Sequence, residues 1–276
     1  MELTIRALST PEEFAMAEDV QKSAWGMPDI MVTPKEIMIA MHHNGGLALG
    51  AFEAKRLVGM AIMFVGKRSG KCFMYSHMTG VSNDVQSKGV GRRLKLAQRE
   101  YASRNGYDLV AWTFDPIISR NAHFNLSSLG VIARNYFPNY YGPMNDSINF
   151  GWETDRILAE WWIQDAEIRS ARAALDLRDA HSAIRVAESG RGAAFVDEVR
   201  VDTHAKTVLV RVPNDIVSLK RESIQEAQKW RESTRRVFLE YFSAGYSCLD
   251  FVEREGGFYY VLQKLKLPEN IFFGAH

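Results

Sequence analysis

One stretch of the sequence, residues 81–105, predicts the end of a strand, a polar loop and a helix in direct succession. The loop holds Gln86, Gly89 and Gly91 in a Q-x-x-G-x-G arrangement. Glycines let backbone N–H groups approach an anion closely, and the first turn of a helix adds unpaired donors and a positive dipole end. The stretch therefore predicts a phosphate-binding loop. A glycine-rich turn that leads into an ordinary surface helix is the alternative.

The residues on both sides of this loop predict a strand–loop–helix–strand unit. Lys71–Val81 is rich in apolar and aromatic residues and contains no proline, which indicates a strand. After the loop, apolar residues recur at helical spacing, Gly106 ends the helix, and a second strand is predicted over residues 107–114. The predicted apolar face of the helix consists of Val90, Leu94, Ala97 and Tyr101.

Two familiar nucleotide-binding motifs are excluded at this loop. It lacks the lysine and hydroxyl of the P-loop pattern G-x-x-x-x-G-K-S/T, and the residues after Gly91 break the dinucleotide pattern G-x-G-x-x-G. The remaining pattern, Q/R-x-x-G-x-G/A, resembles the pyrophosphate-binding loop of the GNAT acyltransferase superfamily, which binds coenzyme A. The cofactor-binding residues that this resemblance implies are Gln86, Ser87, Lys88, Gly89, Val90, Gly91 and Arg92.

Composition is that of an ordinary globular protein. The chain has 276 residues, of which 46% are hydrophobic and 24% are charged, so it is long enough to bury a sizeable core. A net charge of +1 gives no argument for a nucleic-acid partner. Cys72 and Cys248 are too few for a disulfide framework or a C-x-x-C metal site. We therefore predict a cytoplasmic protein without a metal.

Neither a signal peptide nor a membrane span is predicted. The amino-terminal residues lack a basic start followed by an apolar region. The sequence also contains no run of about 18 apolar residues, the length that a membrane-spanning helix needs. We therefore predict no contact with a membrane.

The segments before the loop predict a fixed order of elements. Residues 2–8 form a strand and are followed by two helices, the second starting with a capping box in which Pro34 takes the first helical position. Residues 47–53 and 56–66 then form two strands at hairpin spacing. The complete order is strand, two helices, three antiparallel strands, helix and strand, which resembles the GNAT layout.

The resemblance also implies where the chemistry takes place. GNAT proteins splay their fourth and fifth strands to admit the pantetheine arm, and Val81 ends the matching fourth strand, so its backbone is expected to bond the pantetheine amides. Aminolysis of a thioester needs a neutral amine and therefore a base. Histidine suits that role because its pKa lies near neutral pH. His77 is the candidate base if its face of the strand lines the cleft, and a hydrogen-bonded core histidine otherwise.

A second resemblance lies in the segment SRNAHFNLSSLGV, residues 119–131. GNAT proteins carry a helix here that packs against the acyl-CoA and often supplies a tyrosine as general acid. Leu126 falls on that tyrosine, so the usual acid is absent at its place. Asn121 and Phe124 are the candidate cofactor contacts on this helix. A solvated or capped helix face is the alternative, and it is favoured for Asn125.

The aromatic stretch over residues 136–149 offers a replacement for the missing acid. Its composition suits a loop that folds over a ligand, and Tyr140 is the candidate hydroxyl donor. A lid that covers only the core is the alternative. Thr154 and Asp155 then predict the start of a helix. Arg156 beside them either holds a substrate carboxylate by a two-pronged contact or has no functional role.

We predict three parts along the chain. Residues 1–165 form a GNAT-like acyl-CoA-binding catalytic domain, residues 166–193 a polar helical connector, and residues 194–276 a C-terminal α+β domain. In the last part, strands surround one long helix that begins near Asp215 and ends at Phe242. This order predicts a degenerate GNAT half that completes the acceptor pocket or a dimer contact.

The fold class is therefore α/β (α+β), with a GNAT-like mixed, mostly antiparallel splayed sheet flanked by helices and a smaller C-terminal α+β domain. The motifs YSHMTGV, QSKGVGRRLK, WTFDP, RNAHFNL and YYGPMNDSIN resemble a GNAT subset with a C-terminal extension, some members of which are associated with N-acylamino acid metabolism.

That resemblance implies an acyl-CoA-dependent N-acyltransferase. Acetyl-CoA or succinyl-CoA would be the co-substrate, and the acceptor would be a small-molecule amine such as an amino acid α-amine, which attacks the thioester directly. No nucleic acid and no membrane are expected as partners, whereas a homodimer is an option. The alternative is a catalytically degenerate CoA-binding regulatory or scaffold protein, which the leucine at position 126 permits.

Overall fold

The computed structural model describes most of the chain and divides it into two compact units. The described residues are 3–86, 88–144, 152–188 and 194–272. The first unit comprises Met1–Trp112, Pro143–Trp152 and Trp162–Gln164, and the second comprises Thr113–Gly142, Glu153–Trp161 and Asp165–His276. Among the described residues, no helix is both long and apolar enough to cross a membrane. The domain boundaries predicted at residues 165 and 193 stay a prediction.

The first unit contains the predicted succession of a strand, two helices, three strands, a helix and a strand. The elements are β1 Leu3–Ala7, α1 Pro11–Trp25, α2 Lys35–His43, β2 Leu47–Glu53, β3 Arg56–Arg68, β4 Lys71–Val81, α3 Val90–Arg104 and β5 Leu109–Phe114, of which the last two residues already belong to the second unit. Strands β1 to β4 pair antiparallel in chain order, and β5 pairs parallel with β4. The predicted mixed, mostly antiparallel sheet flanked by helices is therefore confirmed.

Helix ends in the first unit follow local chemistry, with one correction. Thr10 caps α1 because its side chain accepts a hydrogen bond from the Glu13 amide. The capping box predicted for α2 is wrong. Pro34 flanks that helix without a side-chain hydrogen bond instead of occupying its first helical position. The Thr33 amide bonds instead to Gln21 Oε1 at 2.8 Å, which ties the loop before α2 to α1.

Two helices and two strands, α1, α2, β2 and β3, form an apolar core of the first unit together with Leu8, which follows β1. The core residues are Leu8, Phe14, Ala17, Val20, Met38, Ala48, Phe52, Leu57, Met60 and Ile62. Helix α3 packs on β2, β3 and β4 with a face that differs from the predicted one. It buries Val90, Leu94, Lys95, Gln98 and Ala102. Ala97 and Tyr101 of the predicted stripe are only half-buried.

The second unit begins with α4 Ser119–Ala122, which continues into a π-helix over His123–Ser128. The remaining elements are β6 Ile132–Phe137, β7 Arg156–Trp162, α5 Ala166–Ala173, β8 His181–Ser182, β9 Ile184–Glu188, β10 Ala194–Val199, β11 Thr207–Val212, α6 Ile216–Glu222, α7 Ile224–Ser243, β12 Tyr246–Arg254 and β13 Gly257–Lys264. Strands of this unit neighbour one another in the order β7, β6, β12, β13, β11 and β8, and β9 pairs with β10.

Two helix predictions in the second unit are wrong, and for β7 the reason is that a fully buried strand does not alternate. Residues 156–162 form β7 and not a helix, and β7 pairs antiparallel with β6. Nearly every residue of β7 is buried, so the period of two that marks a half-exposed strand is missing. The polar connector is helical only over α5, after which β8 pairs with β11 and β9 with β10.

The single long helix predicted near the end of the chain is two helices. Ser223 separates α6 from α7 because its backbone is extended, with φ −153° and ψ 105°. Its side chain accepts a hydrogen bond from the Glu226 amide and so caps α7. At the start of α6, the Asp215 carboxylate accepts hydrogen bonds from the amides of Val217 and Ser218 at 2.9 and 3.1 Å. Each helix thus has its own cap.

Replacing the first of these caps tests the division. We expect Asp215→Ala to lower the free energy of unfolding by about 1 kcal/mol because two helix amides lose their acceptor. Asp215→Asn keeps an oxygen acceptor and should lose less than half as much. Urea unfolding followed by circular dichroism measures both variants. Equal losses in the two variants would show that the charge, and not the hydrogen bonds, stabilises α6.

Candidate active site

Strand β4 of the first unit carries a bulge at His77. Ile62 of β3 pairs with Met78 and the next residue, Met63, pairs with Ser76, so His77 has no opposite residue in the ladder. Such a bulge adds one residue to a strand and re-aims its side chains. A period of two would place Tyr75, His77 and Thr79 on one face of the strand, and the bulge interrupts that period. Bulges are frequent beside active sites, which keeps His77 a candidate.

The other edge of β4 is mostly unpaired with β5. The parallel ladder between the two strands consists of Met74 with Val110 and Tyr75 with Ala111. Strand β4 continues for six more residues to Val81, and that part has no partner in β5. The two strands therefore separate, as the resemblance implies for a pantetheine cleft. His77 lies two residues beyond the last pair, which is at Tyr75.

The His77 imidazole combines an exposed surface with close neighbours. Its side chain is exposed, and its ring centroid lies 6.1 Å from that of Phe64. Burial of part of the ring among neighbouring atoms lowers its pKa below the ordinary value. The imidazole is therefore neutral at pH 7, which is the form that a general base needs.

The loop between β4 and α3 is braced by its own side chains. A short 3₁₀ helix spans Asn83–Val85, and Val85 is buried. The Gln86 amide nitrogen donates to Asn83 Oδ1 at 2.7 Å and more weakly to the Val81 carbonyl at 3.4 Å. Ser87, a predicted cofactor contact, lies outside the described residues. Gln86 thus holds the loop to the end of β4.

The amino end of α3 is uncovered. Gly89 flanks the helix with φ +79°, a left-handed conformation that favours glycine, and no side chain caps the first turn. A Cβ atom at Gly91 would meet only Val81 Cγ2, at 3.8 Å. Packing therefore does not require glycine at position 91, where alanine would be more favourable for a helix by about 1 kcal/mol. Because Gly91 has no side chain, the amides of the first helical turn are accessible to an anion.

The exposed side chains beside this helix end are mainly positively charged. Lys88 and Arg92 are exposed beside it. Arg93 is held elsewhere, because its guanidinium donates to the Leu3 carbonyl at 2.7 Å. The nearest loop acid, Asp84, pairs with Arg56 at 2.7 Å, and hydrogen bonding to Arg56 lowers its pKa. The loop therefore presents positive charge to a bound anion.

A buried lysine that the sequence pattern did not reveal lies beneath β4. The Lys95 ammonium donates to Ser76 Oγ at 2.9 Å, and Ser76 Oγ donates to Gln98 Oε1 at 2.9 Å. The ammonium also lies 3.6 Å from the ring centroid of Trp112. Lys95 has no ion pair within the part of the chain that the structure describes. Burial lowers its pKa to about 7, whereas the ring face of Trp112 favours the charged form.

The second unit holds Tyr140, the candidate acid. Its backbone amide donates to the Thr154 carbonyl at 2.9 Å, and its ring packs edge-on against that of Tyr141 with centroids 4.7 Å apart. The side chain is 45% exposed, so its hydroxyl is accessible to solvent. Tyr141 is more constrained, because its hydroxyl lies 3.2 Å from Thr113 Oγ1. Tyr140 therefore remains the freer donor of the two.

Two buried carboxylates support this aromatic segment. Asp155 accepts hydrogen bonds from the Tyr136 hydroxyl at 2.5 Å and from the Asn139 amide at 2.9 Å, and Arg235 donates to both of its oxygens. Burial alone would raise the pKa of Asp155, but these hydrogen bonds outweigh it and lower the pKa. Asp115 is paired with Arg231 by two bonds of 2.6 and 2.7 Å. These pairs are structural.

Arg156 is a buried side chain beside the carboxylates of Asp155 and Asp115. It is 8% exposed, donates to the Asp155 carbonyl at 2.9 Å and lies 3.8 Å from Asp115. Its guanidinium is also 5.2 Å from the ring centroid of Tyr141. Through these contacts, Arg156 packs against Tyr141 and binds the backbone of Asp155. A substrate contact by its guanidinium stays a prediction.

The side chains of residues 119–131, the segment that resembles the GNAT acyl-CoA helix, differ in their exposure. Asn121 is exposed and Phe124 is half-buried, so both side chains are accessible as contacts. Leu126 is fully buried, so the position of the usual tyrosine has no access to solvent. Asn125 is 4% exposed, and the solvated interpretation of this residue is therefore wrong. Its carbonyl accepts a hydrogen bond from the Val131 amide at 3.2 Å.

Among the described residues, no group of three or more histidine, cysteine, aspartate or glutamate side chains could hold a metal ion. The expectation that no metal is required stays a prediction. All assignments of catalytic and cofactor-binding residues also stay predictions at this point. The candidate residues in the first unit are His77, Val81, Gln86, Lys88, Gly89, Val90, Gly91 and Arg92, and those in the second are Asn121, Phe124 and Tyr140.

Comparisons with known proteins give structural similarity only. No protein-family model matches the sequence, and no curated protein matches it either. The chain is similar to the ribosomal-protein-S18-alanine N-acetyltransferase from Escherichia coli, with a TM-score of 0.48 and 18% identity over 59% of this chain and 94% of that one. Similarity to aminoglycoside 6'-acetyltransferase type Ii has a TM-score of 0.45 and 16% identity over 58% of this chain and 97% of that one.

A third similar structure is a GNAT family acetyltransferase from Elizabethkingia anophelis with acetyl-CoA bound. The TM-score is 0.42 and the identity is 15%, over 58% of this chain and 97% of that one. Similarity at these identities and TM-scores does not establish what this chain binds or catalyses. Its function has to follow from its own residues.

The buried lysine makes a testable contribution to stability. The pKa of Lys95 is about 7 in the folded state and about 10.4 in an unfolded chain. Below about pH 7 both states bind the proton, and the full penalty of burying the charge is present. Between about pH 7 and pH 10 the folded state releases its proton first, so stability rises by at most about 1.4 kcal/mol per pH unit.

We expect Lys95→Met to remove this rise and to unfold at a higher urea concentration than the parent at pH 7. The methionine has a similar volume and carries no charge, and the bond between Ser76 and Gln98 remains. Urea unfolding of both proteins at several pH values between 7 and 10 measures the difference. Lys55→Met, in an exposed turn, is the control. Parallel pH profiles for parent and Lys95→Met would contradict the assignment.

Proposed function

We propose that the protein is an acyl-CoA-dependent N-acyltransferase that moves an acetyl or succinyl-type group to a small-molecule amine such as an amino acid α-amine. The observation that carries the proposal is the direct succession of the unpaired end of β4 and the uncovered amino end of α3. The first presents backbone groups of a strand edge, and the second presents helix amides beside exposed cations. Coenzyme A carries amides and a pyrophosphate in the same succession.

The pyrophosphate is assigned to the loop and the first turn of α3. The helix amides have no side-chain cap, and Gly89 and Gly91 leave the space above them open. Lys88 and Arg92 add positive charge on exposed side chains. Val90 is 3% exposed and anchors the turn in the core, which fixes the direction of the amides. The backbone of this loop therefore supplies most of the contacts.

The pantetheine arm is assigned to the separated edge of β4. A peptide-like arm can add to an open strand edge as a further strand would, through main-chain hydrogen bonds. The edge extends from Ser76 to Val81, and β3 holds it from the other side. The cofactor contacts that the resemblance implies for Asn121 and Phe124 stay predictions; both side chains are accessible.

The chemistry needs one base and benefits from one acid. The neutral amine nitrogen attacks the thioester carbonyl carbon, a C–N bond forms, and the C–S bond breaks to release the CoA thiolate. His77 is proposed to accept the proton that the amine loses, since its lowered pKa keeps the imidazole neutral. Tyr140 is proposed to donate a proton to the thiolate through its exposed hydroxyl. No covalent enzyme intermediate is required.

The choice between acetyl and succinyl groups and the identity of the acceptor amine belong to the proposal and rest on the resemblance alone. A homodimer, a cytoplasmic location and the absence of nucleic-acid and membrane partners stay predictions.

Cofactor binding is tested at Gly91. Isothermal titration with CoA, acetyl-CoA and succinyl-CoA should give binding by the parent protein. Gly91→Glu should weaken it at least tenfold, because a carboxylate then repels the pyrophosphate at the helix end. Gly91→Ala is the matched control, since its Cβ meets only Val81 at 3.8 Å. Gly89 is less suitable because its φ of +79° strains any other residue.

Two results would contradict this assignment. Absence of binding by a correctly folded parent would mean that the loop is only a turn. Equal weakening by Gly91→Ala and Gly91→Glu would mean that steric change, and not negative charge, is responsible.

Catalysis is tested at His77. We expect His77→Ala to lower kcat by about 10²–10⁴, because the amine loses its base, while CoA affinity stays unchanged. In the parent, kcat/KM should fall on the acid side below about pH 6.5, since burial lowers the His77 pKa from that ordinary value. Release of free thiol from acyl-CoA in the presence of amines measures both. His43→Ala, on α2, is the control.

Unchanged turnover in His77→Ala would remove the residue from the mechanism. Absence of thiol release by a parent that binds acyl-CoA would favour the other function, a regulatory or scaffold protein that has retained only the cofactor loop.

A further inference from the structure

The bulge in β4 puts Ser76 and Gly80 on opposite faces of the sheet. Ser76 bonds to Lys95 and Gln98, which both lie on α3, so its side chain faces that helix. Gly80 faces the other side, because a Cβ atom there would lie 2.7 Å from the Trp25 ring of α1. In a regular strand, residues four apart share a face. One extra residue must therefore lie between Ser76 and Gly80.

Packing fixes the far end of this short segment. The Trp25 ring and the Ala24 methyl group would lie 2.7 and 3.3 Å from a Cβ atom at Gly80, which leaves no room for a side chain there. The next residue, Val81, faces α3, since its Cγ2 atom would lie 3.8 Å from a Cβ atom at Gly91. Residues 80 and 81 are thus held on their faces by helices on both sides of the sheet.

A buried polar network fixes the near end. The Ser76 hydroxyl accepts a hydrogen bond from the Lys95 ammonium and donates one to Gln98 Oε1, each at 2.9 Å. All three side chains are buried. The ammonium also lies 3.6 Å from the ring centroid of Trp112 on β5. The network therefore connects α3, β4 and β5 at the residue directly before the bulge.

The composition of this network favours specificity of structure over stability. Within the described part of the chain, Lys95 has no carboxylate partner and the Gln98 amide nitrogen has no hydrogen-bond partner. Apolar residues of similar volume in place of buried charged groups are often neutral or stabilising for a fold. The best-attested use of a buried polar group that does not stabilise is to fix a register. The register at stake here is that of β4 on β3.

A shift of the bulge by one residue would displace His77. In the observed register Met63 pairs with Ser76, and His77 has no opposite residue. With the bulge at Ser76 instead, His77 would pair with Met63. Opposite residues share a face, and Met63 is fully buried on the face that Ser76 turns to α3. The imidazole would then leave the ring of Phe64 and enter the buried side of the sheet.

We infer that the hydrogen bonds of Ser76 to Lys95 and Gln98 fix the bulge at His77 and so hold its imidazole on the exposed side of β4. The three side chains are positioning groups, because they act through His77 and not on a substrate. Their effect on turnover rests on the proposed function, in which His77 is the base. Their effect on the position of the imidazole does not.

Histidine NMR spectroscopy of the full chain without acyl-CoA tests the inference. The chain has seven histidines, and the spectrum of His77→Ala identifies the imidazole signal of His77. We expect Ser76→Ala to change the chemical shift of that signal and to lower the pKa of the imidazole further, because the shifted register buries it. Thr79→Val is the matched control and should change neither. It removes a β4 hydroxyl that has no hydrogen-bond partner within the described residues.

Two replacements of Gln98 test the hydrogen bond without a change in β4 itself. Gln98→Met removes the acceptor at similar volume and should change the His77 signal in the same direction as Ser76→Ala. Gln98→Glu retains an acceptor of the same shape, and the Lys95 ammonium offsets its charge. We expect the His77 signal of this variant to stay at its position in the parent. Should Ser76→Ala not fold, the Gln98 pair decides the same question.

Turnover should follow the position of the imidazole. In Ser76→Ala and Gln98→Met, kcat should fall by about 10–10² while KM for acyl-CoA stays unchanged, because the base and not the cofactor is displaced. Gln98→Glu should have the kcat of the parent. A network that only stabilised the fold would lower the free energy of unfolding and leave kcat of the folded protein unchanged.

Two results would overturn the inference, provided that circular dichroism shows the proteins to be folded. One is a His77 signal that is unchanged in both Ser76→Ala and Gln98→Met. The other is an equal change in Gln98→Met and Gln98→Glu, which would assign the effect to the side chain's replacement and not to its hydrogen bond. Because the spectra are recorded without acyl-CoA, a parent that releases no thiol would contradict the proposed function alone.

Discussion

The unpaired edge of β4 is the constraint on which the first unit depends. Unpaired backbone N–H and C=O groups inside a fold need water or a ligand as partners, because burying them without one is unfavourable. Beyond Tyr75 the edge has no partner in β5, and the chain then passes through the braced loop to the uncovered amides of α3. Two sets of free backbone donors and acceptors therefore follow each other along one path. A ligand that bears amides and phosphates in that order satisfies both sets.

The two units treat buried charge in different ways. Among the described residues of the second unit, the buried carboxylates of Asp115, Asp155 and Glu160 each accept two hydrogen bonds from an arginine. Asp155 also accepts hydrogen bonds from Tyr136 and Asn139, so it ties these two residues to Arg235. Removing one partner destabilises the fold more than the intact pair stabilises it, because the other charge is left buried without a partner. Such pairs therefore contribute more to the specificity of the fold than to its stability. In the first unit, Lys95 has a hydroxyl and an indole ring instead of a carboxylate. The Lys95 ammonium is therefore less strongly stabilised than a charge in an ion pair, and a substitution of Ser76 would remove one of its contacts.

Local signals predicted the first unit better than the second. Glycines, prolines and alternating apolar residues predicted β1 to β5 and their order because helices and turns of common types separate these strands. Strand β7 escaped recognition because burial of both faces removes the alternation, and a run of apolar residues is then compatible with a helix. The break at Ser223 lies within a continuous helical pattern, and only its cap reveals it. Lys95 was missed because pattern analysis assigns lysine to the solvent, so only a contact with β4 and Trp112 places it inside.

The leucine at the position of the usual acid has a smaller chemical effect than the loss of a base would have. A thiol has a pKa of about 8.5, so a departing thiolate is stable enough near neutral pH to leave without a proton. An alkyl ammonium of the lysine type has a pKa of about 10.4, so an amine is almost wholly protonated at pH 7 and cannot attack until a base removes the proton. Leu126 is also fully buried, so an acid at that position would require a different local packing. The proposed acyl transfer would therefore place its main demand on a neutral imidazole, the role proposed for His77, and only a minor one on the acid proposed at Tyr140.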